Sequence, residues 1–212
     1  GNGYMKFLNL DKVLCLSAHP DDAEYSMLGS MIRFHSTTFD VVVLSNGGDF
    51  DNSSGKSRKT ECDKIWTNFK NVNGDFLQEC YLKDKLQDEW INIIEKKYDI
   101  NGYNAIFAPT NLDSHFEHRL VNKIAKALLR TSSCGLITYK SPSTLENWIP
   151  NLYVDVNTLV NKKIAMLDNF QSQKTKSYFK PDSIKAFHSN YMSSKFGVNY
   201  VEHFKIERVF SI

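Results

Sequence analysis

The sequence predicts an α/β fold, a Rossmann-like and mostly parallel β-sheet flanked by helices. Three observations carry that reading. Lys12–Ala18 (KVLCLSA) is a short apolar run stopped by Pro20, and Phe39–Leu44 (FDVVVL) is a second run rich in β-branched residues; both have the character of strands buried on two faces. Between them Met27, Leu28, Met31, Ile32 and Phe34 recur at helical spacing, which completes a βαβ unit. Apolar runs and helical-period segments then keep alternating, and such alternation implies a parallel sheet covered on both sides.

The first helix follows Asp21 and Asp22, carboxylates where a first turn favours negative charge. After the second strand, Arg58–Phe69 places Cys62, Ile65, Trp66 and Phe69 on one helical face, and a short strand follows near Asp75–Leu77. A helix over about 86–98 turns Trp90, Ile91 and Ile94 inward. Ala105–Ala108 reads as a strand, Glu117–Leu129 as a helix with Leu120, Ile124, Ala127 and Leu128 inward, and Leu136–Tyr139 as a strand. After Pro142 the pattern loosens: a strand at Tyr153–Val156, helices over 158–170 and 182–191, and an edge strand over 201–212. Ser172–Pro181 is expected to be a mobile connection.

At 212 residues the chain has room for one domain with a sizeable core, read as a regular α/β unit over 1–142 and an extension over 143–212 that completes a substrate pocket. Hydrophobic residues at 42% and charged residues at 24% exclude a disordered or fibrous chain. A net charge of +2 is too balanced for a dedicated nucleic-acid binder, so no nucleic-acid partner is expected. No signal-like segment or apolar run of membrane-spanning length occurs, which sets the expectation of a cytoplasmic protein without an integral membrane segment. Cys15, Cys62, Cys80 and Cys134 are too scattered for a metal ribbon and are read as free thiols. Homo-oligomer formation stays open.

In doubly wound folds ligands gather where loops leave the carboxyl ends of strands. His19-Pro20-Asp21-Asp22 follows the first strand, and Asn111–His118 follows the strand at 105–108. His19 and Asp22 leave one tight turn, and His118 begins a helix, so the three could grip one ion. Two imidazoles and a carboxylate leave a coordination position for water, as catalytic zinc requires, although such a set also accepts Fe2+, Mn2+ or Co2+. Asp21, beside the ligands but not needed as one, could take a proton from that water, and His115 could meet an oxygen that becomes negative. Either motif alone would be read as a turn or as solvated helix residues; their joint placement at strand ends is what points to metal-assisted amide hydrolysis.

Ala18-His19-Pro20-Asp21-Asp22-Ala23-Glu24, followed by Gly29, resembles the A-H-P-D-D-x-E signature of the LmbE-like or PIG-L-like zinc-dependent N-deacetylases, and His115-Phe116-Glu117-His118-Arg119 is similar to their H-P-D-H-R motif. Weaker matches are Asn46-Gly47-Gly48, Arg58 with Glu61, Lys163 with Gln171 or Gln173, and Gly197–Phe204. The resemblance spans nearly the whole chain. It implies the LmbE-like deacetylase fold, zinc held by His19, Asp22 and His118, Asp21 as general base, His115 stabilising or protonating the tetrahedral intermediate, and Arg58 lining the substrate pocket. It also implies a small-molecule substrate, an N-acetylated amino sugar of the N-acetylglucosamine type. Phe116 and Glu117 depart from the pattern's proline and aspartate, so Glu117 would have to tune His115 from a different angle. A hydrolase of another small N-acyl compound and a non-catalytic sugar or nucleotide binder are the alternatives.

Other features carry less. Gly48–Ser57 has the wrong glycine spacing for a phosphate loop and is read as a loop over the active-site edge, with Asp49 and Asp51 near substrate hydroxyls or in solvent. His35, His188 and His203 lack partners at metal spacing and read as surface or packed residues. The six lysines between Lys162 and Lys185 suggest a solvated face, or, for Lys174 and Lys176, a receptor for a substrate anion. Trp148, Tyr153, Tyr178, Phe179 and Tyr191 are expected in the core for the most part, with a sugar-stacking rim as the sharper alternative.

Overall fold

The computed structural model describes residues 5–45 and 54–210; Asn46-Gly47-Gly48, Asp49 and Asp51 lie outside them. Seven strands, β1 (Lys12–Ser17), β2 (Thr38–Ser45), β3 (Val72–Gln78), β4 (Ala105–Pro109), β5 (Gly135–Tyr139), β6 (Leu152–Asp155) and β7 (Val201–Arg208), form one sheet in the order β3-β2-β1-β4-β5-β7-β6. The first five run parallel, and β7 pairs antiparallel with both β5 and β6. The helices are α1 (Asp22–Arg33), α2 (Ser54–Trp66), α3 (Gln87–Lys97), α4 (Phe116–Leu128), α5 (Val160–Leu167), α6 (Pro181–His188) and the short α7 (Tyr191–Ser194).

The central strands are apolar over most of their length because both of their faces are covered. Val13, Cys15, Val41, Val43 and Phe107 face one layer with α1 and α2 residues such as Met27, Leu28, Cys62 and Trp66. Leu14, Leu16, Val42, Leu44 and Ile106 face the other, built from Trp90, Ile94, Val121, Ile124 and Leu128. Alternate residues of one strand point to opposite faces, so each strand feeds both layers.

Three expectations for the second half need correction. The last strand is not at the edge: β7 lies between β5 and β6, and β6 forms the border. Its charged composition misleads because Glu202 is fully buried, receiving the Lys163 ammonium at 2.6 Å and the backbone N–H groups of Gly29 at 2.8 Å and Ser30 at 2.6 Å. Those donors are available because α1 departs from helical geometry at Met27 (φ −143°, ψ 16°). Gly29 is the small residue this approach demands, since a Cβ there would lie 2.6 Å from Val156 Cγ1 and 2.9 Å from Glu202 Oε2. Secondly, Lys163 does not belong to a solvated lysine face; it is completely buried and also donates to His188 Nε2 at 2.8 Å. Thirdly, 172–181 is anchored at its start rather than loose throughout: Gln173 is buried, and Ser172 is bound to Glu61 through its backbone N–H at 2.9 Å and its hydroxyl at 2.7 Å, while 174–177 are exposed.

The remaining details follow from burial. Cys15, Cys62 and Cys134 are buried free thiols, and Cys80 is half-buried. His188 and His203 are packed inside, while among the aromatics Trp148 is buried and Tyr191 is exposed. No helix among the described residues is long and apolar enough to cross a membrane.

Candidate metal centre

The turn after β1 and the start of α4 meet at the carboxyl edge of the sheet because β1 and β4 are parallel neighbours. Asp21 takes the position before α1 with φ 109°, a left-handed conformation that costs a non-glycine residue of order 1–3 kcal/mol. Its carboxylate makes no capping bond to the helix. Instead Arg58, reaching across from α2, donates through Nη2 to Asp21 Oδ2 at 2.9 Å and to the Pro20 carbonyl at 2.8 Å. Burial pushes the Asp21 carboxyl up, partly countered by the Arg58 charge, to about 6.

His19, Asp22 and His118 converge, each offering a ligand atom within 4.8 Å of the others. Asp22 Oδ2 accepts the His19 backbone N–H at 2.8 Å and stands 3.5 Å from His19 Nδ1, while Oδ1 stands 3.3 Å from His118 Nε2. The electrostatics call for a cation. Burial opposes charging either ring, yet the hydrogen bonds of Asp22 and Glu117 outweigh it and carry His19 up to about 9. At His118 the Asp22 charge and the Asp113 hydrogen bond likewise overcome burial and bring it to about 10. Two imidazoles and a carboxylate at this separation fit a divalent metal such as zinc.

His115 sits just before α4 and stacks on His118 with ring centroids 4.7 Å apart. Its Nδ1 accepts the Glu117 backbone N–H at 3.2 Å, which leaves the ring proton of the neutral form on Nε2. Burial and the neighbouring His118 and His19 charges lower its pKa and keep it neutral. The Glu117 carboxylate meets His19 Nε2 at 3.0 Å and lies within 4.8 Å of a His115 ring nitrogen without a hydrogen bond to it.

Sequence reasoning missed the support beneath His118. Asp113, wholly buried, holds His118 Nδ1 at 2.9 Å and accepts the hydroxyls of Ser141 and Ser143 at 2.6 Å each. Although burial acts against ionisation, those bonds and the His118 charge pull its pKa down to about 2. The signal was present, because Ser141 and Ser143 follow β5 at the same sheet edge that singled out the two histidine motifs.

These groups open into a cavity of about 510 Å³ whose lining includes His19, Asp21, Asp22, Arg58, His115 and His118. Tyr81, Tyr178 and Phe179 supply aromatic wall, and Lys176 stands at the same cavity, whereas Lys174 lies outside the lining; both lysines are exposed. A family model described as PIG-L, GlcNAc-PI de-N-acetylase, matches residues 14–129, the stretch that carries both motifs. The chain belongs to the PIG-L family.

Solved structures extend the likeness over nearly the full length. The conserved protein TT1542 from Thermus thermophilus is 18% identical, with 96% of this chain and 97% of that one covered at a TM-score of 0.70. An N,N'-diacetylchitobiose deacetylase from Pyrococcus horikoshii is 19% identical, with 94% and 85% covered and a TM-score of 0.72. GalB, the 4-carboxy-2-hydroxymuconate hydratase of Pseudomonas putida KT2440, is 13% identical, with 95% and 99% covered and a TM-score of 0.74. Identities this low establish a shared fold, which for the PIG-L family member described here is the LmbE-like one, and leave its chemistry to the site.

Proposed function

We propose that this chain is a metal-dependent N-deacetylase that hydrolyses the acetamide of an N-acetylated amino sugar to acetate and a free amine. The observation that carries the reading is the meeting of three ligand-type side chains, an Arg58-held carboxylate and a neutral imidazole in one cavity. His19, Asp22 and His118 would hold the ion, zinc first and Fe2+, Mn2+ or Co2+ as alternatives. Bound there, a divalent ion polarises the acyl carbonyl and lowers the pKa of water to about 7.

The protein's own residues account for the proton traffic. Asp21, fixed by Arg58, takes the proton that water loses as the new C–O bond forms, and delivers it to the nitrogen as the C–N bond breaks. His115, neutral with its proton on Nε2, donates a hydrogen bond to the oxygen that becomes negative. Tyr81, Tyr178 and Phe179 give a sugar ring apolar faces to lie against. The whole chain acts as one unit in this reading, since residues beyond 142 supply Ser143, Lys176, Tyr178 and Phe179 to the cavity.

The test is incubation of zinc-loaded protein with a panel of N-acetylated amino sugars, other N-acyl compounds and unsaturated acids, following acetate, new primary amine and loss of the double bond. Release of both in equal amounts supports the reading. Addition of water to an unsaturated acid without acyl release would assign a hydratase instead, an activity named for one structural relative.

A further inference from the structure

The two candidate metal-binding imidazoles are held in matching ways. Each turns one nitrogen toward Asp22, His19 through Nδ1 at 3.5 Å and His118 through Nε2 at 3.3 Å. Each has its other nitrogen on a separate carboxylate, Asp113 at 2.9 Å from His118 Nδ1 and Glu117 at 3.0 Å from His19 Nε2. A neutral imidazole that ligates through one nitrogen carries its proton on the other, and a carboxylate at that proton fixes both tautomer and ring orientation.

We infer that Glu117 is a positioning residue for His19, holding it as the Nε2–H tautomer with Nδ1 turned to the metal. The inference rests on the proposed metal centre and deepens it. Two features set the assignment. His115 Nδ1 is already taken by the Glu117 backbone N–H, so that nitrogen has no proton for a carboxylate to accept. The Glu117 side chain is half-buried in the cavity lining and ends on His19, across the gap between the two motifs. The carboxylate of the second histidine motif thus serves the first one, and the extra methylene of glutamate supplies the reach that aspartate lacks.

The test is zinc affinity by chelator competition for the wild type, H19A, H118A, E117A, E117D and E117Q, with the His19 tautomer read from long-range 15N NMR of the zinc-loaded protein. E117A and E117D are expected to weaken zinc binding about 10- to 100-fold, the usual loss for an outer carboxylate on a ligating histidine. E117Q should lose less, because its amide oxygen still accepts from Nε2–H, and the wild-type spectrum should show His19 protonated at Nε2. Wild-type zinc affinity in E117A, beside a severe loss in H118A, would overturn the role of Glu117 and leave the metal centre standing. A loss in E117A as complete as in H19A would make Glu117 a direct ligand and also overturn it. Undiminished zinc binding in H118A would remove the metal centre itself.

Discussion

Asp113 offers the sharpest perturbation because its carboxylate is shared by the candidate site and the fold. Asp113→Asn keeps the side-chain shape but removes the charge that faces His118, Ser141 and Ser143. The native pKa of about 2 lies below the ordinary 3.8, and that fall corresponds to roughly 2 kcal/mol of stability at neutral pH. The sign follows from the depressed value: the contribution is complete above the unfolded pKa and disappears as pH falls toward the folded one. In a chain of this length roughly 2 kcal/mol lowers Tm by about 4–8 °C. Urea and thermal unfolding with chelator present should show that deficit at pH 7, with about half of it gone at pH 3. Zinc affinity should fall about 10- to 100-fold in parallel, since His118 loses its anionic partner. Equal stability of D113N and wild type at pH 7, or a deficit that does not shrink in acid, would refute the reasoning.

Other consequences are equally direct. Lys163→Met should cost about 3–5 kcal/mol in urea unfolding, because it strands the buried Glu202 carboxylate, and a cost below about 1 kcal/mol would show that the ion pair does not hold α5 to β7. Burial, with the Lys140 and Lys163 charges, keeps His203 neutral at a pKa of about 3, so the stability it contributes is present above 6.5 and fades as pH falls toward 3. His203→Phe should therefore flatten the loss of stability between pH 6.5 and 4, and an unchanged acid limb would contradict the assignment. Asp21→Asn is expected to retain zinc but reduce kcat about 10²- to 10⁴-fold, measured as acetate release. Full turnover in D21N would remove the base.

How far the sequence reaches is set by the range of the interactions involved. The parallel core was legible because Val41, Val42, Val43 and their neighbours are buried on both faces, and two-sided burial writes itself as an unbroken apolar run. The C-terminal strand was misplaced because Glu202, His203 and Lys205 resemble an exposed border; only the distant Lys163 and the interrupted turn of α1 show why a carboxylate belongs inside. His19, Asp21, Asp22, His115 and His118 were legible as two local motifs at strand ends. Asp113 with Ser141 and Ser143 went unread, since that network joins two loops and its one signal is the placement of the serines after β5, at the same sheet edge. Glu117 was noticed as a departure; its hydrogen bond goes to His19, while its charge also acts on the near neighbour His115.

The central claim is that His19, Asp22 and His118 share one cation, and anomalous diffraction at the zinc edge from crystals grown with zinc tests it most directly. A single strong peak bounded by those three side chains is the predicted result. A peak elsewhere, or none at saturating zinc with both motifs ordered, would contradict it.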